Sequence, residues 1–120
     1  LLVRSSELLT ANQRLHWAPR SRATRTLRQR AYYLARGNYR FSRAHITARF
    51  TWPDNRRRDV HNWSPTVKAL VDGLVDAGIL PDDSDRYLTG PDLRPDPAPG
   101  GKPPRGWVRV HLTVEGDADA

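Results

Sequence analysis

The sequence predicts an α/β (α+β) domain: a small mixed β-sheet of about four strands with two main helices. Three observations carry this. Between residues 43 and 52, Ala44, Ile46, Ala48, Phe50 and Trp52 alternate with Arg43, His45, Thr47, Arg49 and Thr51, the two-residue period of a half-buried strand. Two other stretches, opening at Pro19 and at Ser64, carry apolar residues at helical spacing instead. Alternation returns near the end, with Val108, Val110, Leu112 and Val114 on one face of a strand over 107–114. A chain of 120 residues makes one domain. Its core is thin enough that an oligomer adds stability.

The elements follow in order. Residues 1–4 read as a short strand, and 9–17 as a polar loop carrying Asn12, Arg14 and His16. Pro19 suits a first helical position, where a missing N–H is no loss. Ala23, Leu27, Ala31 and Leu34 then recur along one face, and Gly37 stops the helix. Its other faces carry Arg20, Arg22, Arg25, Arg28, Arg30 and Arg36. Pro53 ends the strand that comes next. The second helix has Ser64 as its cap, Pro65 in its first turn and Gly78 at its close. Val67, Leu70, Val71, Leu74 and Val75 form its apolar stripe. Residues 87–93 are a short strand interrupted by Gly90-Pro91, residues 92–106 a mobile Pro/Gly-rich loop, and residues 115–120 a frayed tail.

Composition excludes some classes and favours another. The absence of cysteine rules out disulfides and thiolate metal sites, and suits a reducing cytoplasm. No apolar run approaches the roughly 20 residues of a membrane span, so no membrane partner is expected, and no signal peptide is visible. Charge is uneven. Residues 1–58 hold 14 arginines against Glu7 and Asp54, a balance of +12, and residues 59–120 hold six basic against 11 acidic residues, a balance of −5, together the net +7. Of the 20 basic residues only Lys68 and Lys102 are lysines. Arginine forks match phosphate geometry, so the basic half reads as a nucleic-acid footprint driven by counterion release, against the plainer reading of a solvated basic surface.

The chemistry concentrates in Arg56-Arg57-Arg58-Asp59-Val60-His61-Asn62 and, beyond the second helix, Pro81-Asp82-Asp83-Ser84-Asp85. Arginines beside clustered carboxylates are what a metal-dependent nuclease needs. Asp59 and His61 stand two apart in an extended segment and so share a side. A helix of about 13 residues is about 20 Å long, so the acids at its two ends meet only if the chain doubles back after Gly78. Mg²⁺ takes one or two carboxylates plus waters and substrate phosphates, and it polarises a scissile phosphate and activates water. Lys68, one turn into the helix, then balances transition-state charge. Plainer readings stand beside these: Lys68 pairs with Asp72 at i+4, Asp82-Asp83 is a turn, and Asp59 pairs with a neighbouring arginine.

At these residues the chain resembles the RusA family of Holliday junction resolvases, small endonucleases common in phages and prophages. The likeness runs from Trp52 to about Tyr87, through Arg57-Arg58-Asp59, Asn62, Lys68-Ala69-Leu70, Asp72-Gly73-Leu74, Asp76-Ala77-Gly78 and Asp82-Asp83. The Asn12 loop before a basic helix fits the family's N-terminal region. The resemblance implies a homodimeric, Mg²⁺-dependent crossover junction endodeoxyribonuclease with an α/β fold. Its partner is branched DNA, a four-way junction nicked symmetrically during recombination and repair in the cytoplasm of a bacterium or phage-infected host. By it, Asp59 and Asp83 are metal-binding catalytic carboxylates, Asp82 a supporting acid and Lys68 the catalytic lysine. Arg56, Arg57, Arg58, Asn12, Arg14, Arg22 and Arg25 are the expected DNA contacts.

Two departures matter. His61 stands where the family has a second aspartate, and three extra residues within Trp63–Val67 precede Lys68. A neutral imidazole as ligand tilts preference from Mg²⁺ toward Mn²⁺, or serves as general base. The alternative is a protein of the same fold that binds branched DNA without cutting it. His16, His45 and His111 carry no ligand spacing and receive no role.

Overall fold

The structure is a computed structural model, described over residues 1–11, 17–97 and 99–118. It is a mixed α+β domain. Strand β1 spans Leu2–Arg4, helix α1 Trp17–Ala35, β2 Phe41–Thr51, helix α2 Ser64–Asp76, β3 Leu88–Arg94 and β4 Trp107–Ala118. The sheet order is β1-β4-β2-β3, with β2 and β3 parallel and the other neighbours antiparallel. The parallel pair is joined through α2, as parallel strands require a crossover. No helix among the described residues is long and apolar enough to cross a membrane.

The β2 alternation holds for the apolar residues, although Thr47 and Thr51, expected on the polar face, are buried too. Ala44, Ile46, Ala48 and Phe50 are buried with Leu27 and Ala31 of α1 and with Leu70 and Val71 of α2 in one core. Both helices therefore lie on one face of the sheet. They touch where α2 has no side chain: a Cβ on Gly73 would fall 2.2 Å from the Arg28 carbonyl oxygen and 2.7 Å from the Ala31 Cβ. A bidentate ion pair from Arg28 to Asp76, at 2.5 and 2.8 Å, closes the same contact.

Several boundaries differ from the sequence expectation. Helix α1 begins at Trp17, so Pro19 is its third residue, still inside the first turn where N–H groups lack intrahelical partners. Leu34 is 60% exposed, and Ala35, four residues after Ala31, is buried in its place. Ser64 does not cap α2. Trp63 holds that position without a side-chain cap bond, because a 3₁₀ turn over Val60–Trp63 runs straight into the helix. The expected strand over 87–93 is β3, which starts at Leu88 and takes in Arg94 from the expected loop. Residues 115–118, expected to fray, pair with the start of β2, where Glu115 faces His45 and Asp117 faces Arg43. Interruption of β3 at Gly90-Pro91 holds: two residues bulge out between the His45–Thr89 and Thr47–Asp92 pairs.

A Gly73→Ala substitution tests the helix contact. Alanine is the better helix former by about 1 kcal/mol, yet the crowded Cβ is expected to lower stability by about 1–3 kcal/mol. Urea unfolding reads the difference, and a midpoint at or above the parent's would contradict the packing described.

Candidate functional site

The site is built by the end of α2. Gly78 takes a left-handed φ of 82°. Its N–H donates to the Val75 carbonyl at 2.9 Å and that of Ile79 to the Leu74 carbonyl at 3.1 Å, the double bond of a Schellman termination. Ile79 and Leu80 then turn inward and are buried, and the Ile79 carbonyl accepts from Phe41 N–H at 2.8 Å. The chain thus doubles back beside its own helix. Lys68 lies eight residues before the helix end, about 12 Å along the axis, within reach of the five residues that lead to Asp83.

There the side chains meet. The Lys68 ammonium donates to Asp72 Oδ1 at 2.7 Å and also, at shorter range, to Asp83 Oδ2. The i+4 reading of Lys68 is correct and incomplete: the lysine bridges its own helix to the returning chain. Asp83 N–H donates to Asp82 Oδ1 at 2.8 Å, and the turn expected at this pair forms just after it, over residues 85–87. Hydrogen bonding to Lys68 holds the Asp83 carboxyl below the usual aspartate range. Bonds to Asp72 first and Asp83 second raise the Lys68 ammonium above the ordinary lysine value.

Lys68 and Asp83 line a cleft of about 400 Å³ with His61 and Ser64, against a wall formed by Leu88, Gly90, Pro91 and Leu93 of β3. His61, Lys68 and Asp83 are therefore brought together. Asp59 and Asp82 are not in that lining. Asp59 does not share an extended strand with His61: it precedes the 3₁₀ turn, and its Oδ1 accepts the His61 N–H at 3.1 Å. Among the described residues no three His, Asp or Glu side chains are grouped to hold a metal ion. No family model, curated protein or solved structure matches this chain.

The arginine run divides. The carboxylate that faces it is Asp54, not Asp59. Arg58 pairs with Asp54 at 2.9 Å, lies over the Trp52 ring at 4.9 Å, and is only 16% exposed, whereas Arg56 is 78% exposed. Arg58 hydrogen bonding, then the Arg56 N–H, hold the Asp54 carboxyl below its usual range. Arg58 thus braces the loop, and with Asp54 it also lines a second groove of about 500 Å³ together with Arg56, Arg57, Asn55 and Lys102. Lys102, whose ammonium donates to Asn55 Oδ1 at 2.8 Å, had no signal in the sequence beyond its charge. Arg22 and Arg25 are exposed on α1. Asn12 and Arg14 lie outside the described residues.

The residues from Leu8 to Ala11 clamp the start of α2. The buried Thr66 hydroxyl donates to the Leu9 carbonyl at 2.7 Å and accepts the Leu9 N–H at 2.8 Å. Ala11 N–H donates to the Asn62 carbonyl at 2.8 Å.

The lysine bridge has a defined pH signature. The Asp83 carboxyl is depressed, so its contribution is full above the ordinary aspartate value of 3.8 and is lost as pH falls through the folded value. The Lys68 ammonium is raised, so its contribution is full below the ordinary lysine value of 10.5 and is lost as pH rises through the folded value. Both groups are partly solvated, which limits each pair to about 0.2–1 kcal/mol. The stability gap between parent and Lys68→Met is expected to be widest near neutral pH and to close at both extremes. Urea midpoints across pH measure it, and a gap that stays constant into strong acid would rule out the bridge.

Proposed function

We propose that this chain is a structure-specific, divalent-metal-dependent endodeoxyribonuclease that nicks four-way DNA junctions, a RusA-like resolvase acting as a cytoplasmic homodimer in recombination and repair. One observation carries the reading. The chain leaving α2 returns along the helix, so that Asp83 meets Lys68 at a cleft also lined by His61. These are three of the positions to which the resemblance assigns chemistry, and two separate segments supply them.

The donor set, an ionised carboxylate and an imidazole open to a cleft, suits a divalent ion that accepts nitrogen, Mn²⁺ better than Mg²⁺. Asp83 and His61 would hold Mn²⁺ or Mg²⁺, while Asp59 and Asp82 stand in adjoining segments outside the lining. One or two carboxylates suffice where waters and substrate phosphates complete the shell. Bound there, the ion supplies polarisation of the phosphodiester and an activated water. Lys68 orients Asp83, keeps it ionised and adds positive charge where a phosphate gains negative charge. Asp72 anchors Lys68 in turn. Arg56 and Arg57 take phosphates of a DNA arm at the neighbouring groove, and Arg22 and Arg25 do so from α1. A two-fold substrate suits a C₂ dimer.

A second reading, a non-catalytic branched-DNA-binding protein of the same fold, draws on two observations. The Lys68 ammonium already occupies an Asp83 oxygen, and an imidazole stands where the resemblance places an acid. Titrating Mg²⁺ and Mn²⁺ against a labelled four-way junction separates the two: paired nicks mark the enzyme, a mobility shift without nicks the binder. In the enzyme, Asp83→Asn is expected to slow nicking by about 10²–10³-fold with junction affinity in EDTA retained. Undiminished cutting by that variant would remove the metal role.

A further inference from the structure

The helices leave one face of the sheet open. Alternate residues of β2 belong to the core that the helices cover, so those between them point the other way. Strand register carries that parity across the sheet. Arg49 stands opposite Arg94 on β3 and His111 on β4, and Arg109 stands opposite Thr51 and Leu2. Arg4, two residues beyond Leu2, shares the face and lies over the Trp107 ring at 4.7 Å. One half of the open face therefore carries four arginines, one from each strand. The carboxylates facing the same way sit toward the other half: Asp92 beside Thr47, Glu115 beside His45 and Asp117 beside Arg43. Asp92 is already engaged by His45 at 2.7 Å.

Some arginines elsewhere in the fold are neutralised by carboxylates. Arg28 is paired with Asp76, Arg30 with Glu7, and Arg56 and Arg58 with Asp54. Among the described residues, Arg4, Arg49, Arg94 and Arg109 form no ion pair. Arg49 donates to Thr113 Oγ1 at 3.3 Å and Arg109 to the Gly101 carbonyl at 3.2 Å, acceptors that orient a guanidinium without neutralising it. Like charges on adjacent strands, roughly 4.8 Å apart, repel one another. An anion from outside the chain relieves that repulsion.

We infer that this half-face is a second, metal-independent binding surface for the phosphodiester backbone of a duplex DNA arm. The inference rests on the proposed DNA reading and extends it to a face of the molecule that no sequence motif marked. Duplex DNA presents one charge per about 1.7 Å of axis, so a tract four strands wide, roughly 14 Å, meets several phosphates. Stacking of unpaired bases is disfavoured there because Arg4 covers the Trp107 ring. The tract is continuous with the groove of Arg56, Arg57 and Lys102, since Thr51 and Gly101 line that groove as well. A DNA arm laid on the sheet thus meets the arginine run at its end.

The test is equilibrium binding of a labelled four-way junction and a linear duplex, in EDTA, over a series of NaCl concentrations. Three proteins are compared: the parent, Arg49→Gln/Arg94→Gln, and Arg49→Lys/Arg94→Lys. The glutamine pair is expected to bind both DNAs more weakly, with the slope of log K against log[NaCl] shallower by about 1.8, two phosphate contacts at about 0.9 each. The lysine pair keeps the parent slope. A glutamine pair with the parent's affinity and slope sinks this inference and leaves the nuclease reading standing. A parent that binds no junction sinks both. Equal losses in the glutamine and lysine pairs indicate structural damage in place of lost phosphate contacts and also overturn it, as does a change in self-association with DNA binding intact.

Discussion

The reversal of the chain at Gly78 is the constraint on which the rest depends. Termination there is enforced twice, by a left-handed backbone that favours glycine and by the burial of Ile79 and Leu80 immediately after it. The Ile79 carbonyl ties the helix end to Phe41, the first residue of β2, and the chain turns back along α2. Without that return, Lys68 has only its own helix to pair with, and Asp83 has no reason to lie near His61. Hydrophobic burial of two residues thereby places a charged one: the apolar pair fixes the path, and the exposed carboxylate follows.

Much of this was legible in the sequence, for identifiable reasons. Period-two alternation over residues 43–51 and the Ser64–Gly78 apolar stripe are long, regular signals, and both elements stand where expected. The necessity of a doubling back came from helix length alone. What failed was local. Ser64 is a good capping residue type, but the 3₁₀ turn before it removes the need for a cap. Leu34 was placed by an i+3 step where the buried face continues by i+4 to Ala35. Residues 115–118 are polar enough to read as a tail, yet they form backbone pairs to β2 that take no account of side-chain polarity. At the site, Lys68 and Asp83 were anticipated as partners in one centre. Asp54 was passed over, because its link to Arg58 depends on how the loop after β2 folds back over Trp52.

Basic charge, which sequence counting treats as one property of the N-terminal half, has three different fates in the fold. Arg28 and Arg30 are fasteners, joining α1 to α2 and to the segment around β1. Arg58 is packed on an aromatic ring beside its carboxylate, as arginine but not lysine does well. Arg57 and the open-face arginines form no ion pair among the described residues. Net charge therefore overstates what is free to meet a polyanion, and the location of each carboxylate decides the remainder.

The break in β3 has a consequence for assembly. An unprotected sheet border invites strand addition from another molecule. Here one border is β3, where Pro91 lacks an N–H and the adjacent bulge throws the ladder out of step; the other is β1 over three residues and, beyond Val110, the outer edge of β4, which β1 leaves uncovered. The β3 margin is thus a poor template for a continuous intermolecular sheet, whereas the outer edge of β4 beyond Val110 is a regular one. The backbone irregularity that shapes the cleft wall therefore guards one margin of the sheet, and any strand-to-strand association of two copies is directed to the other.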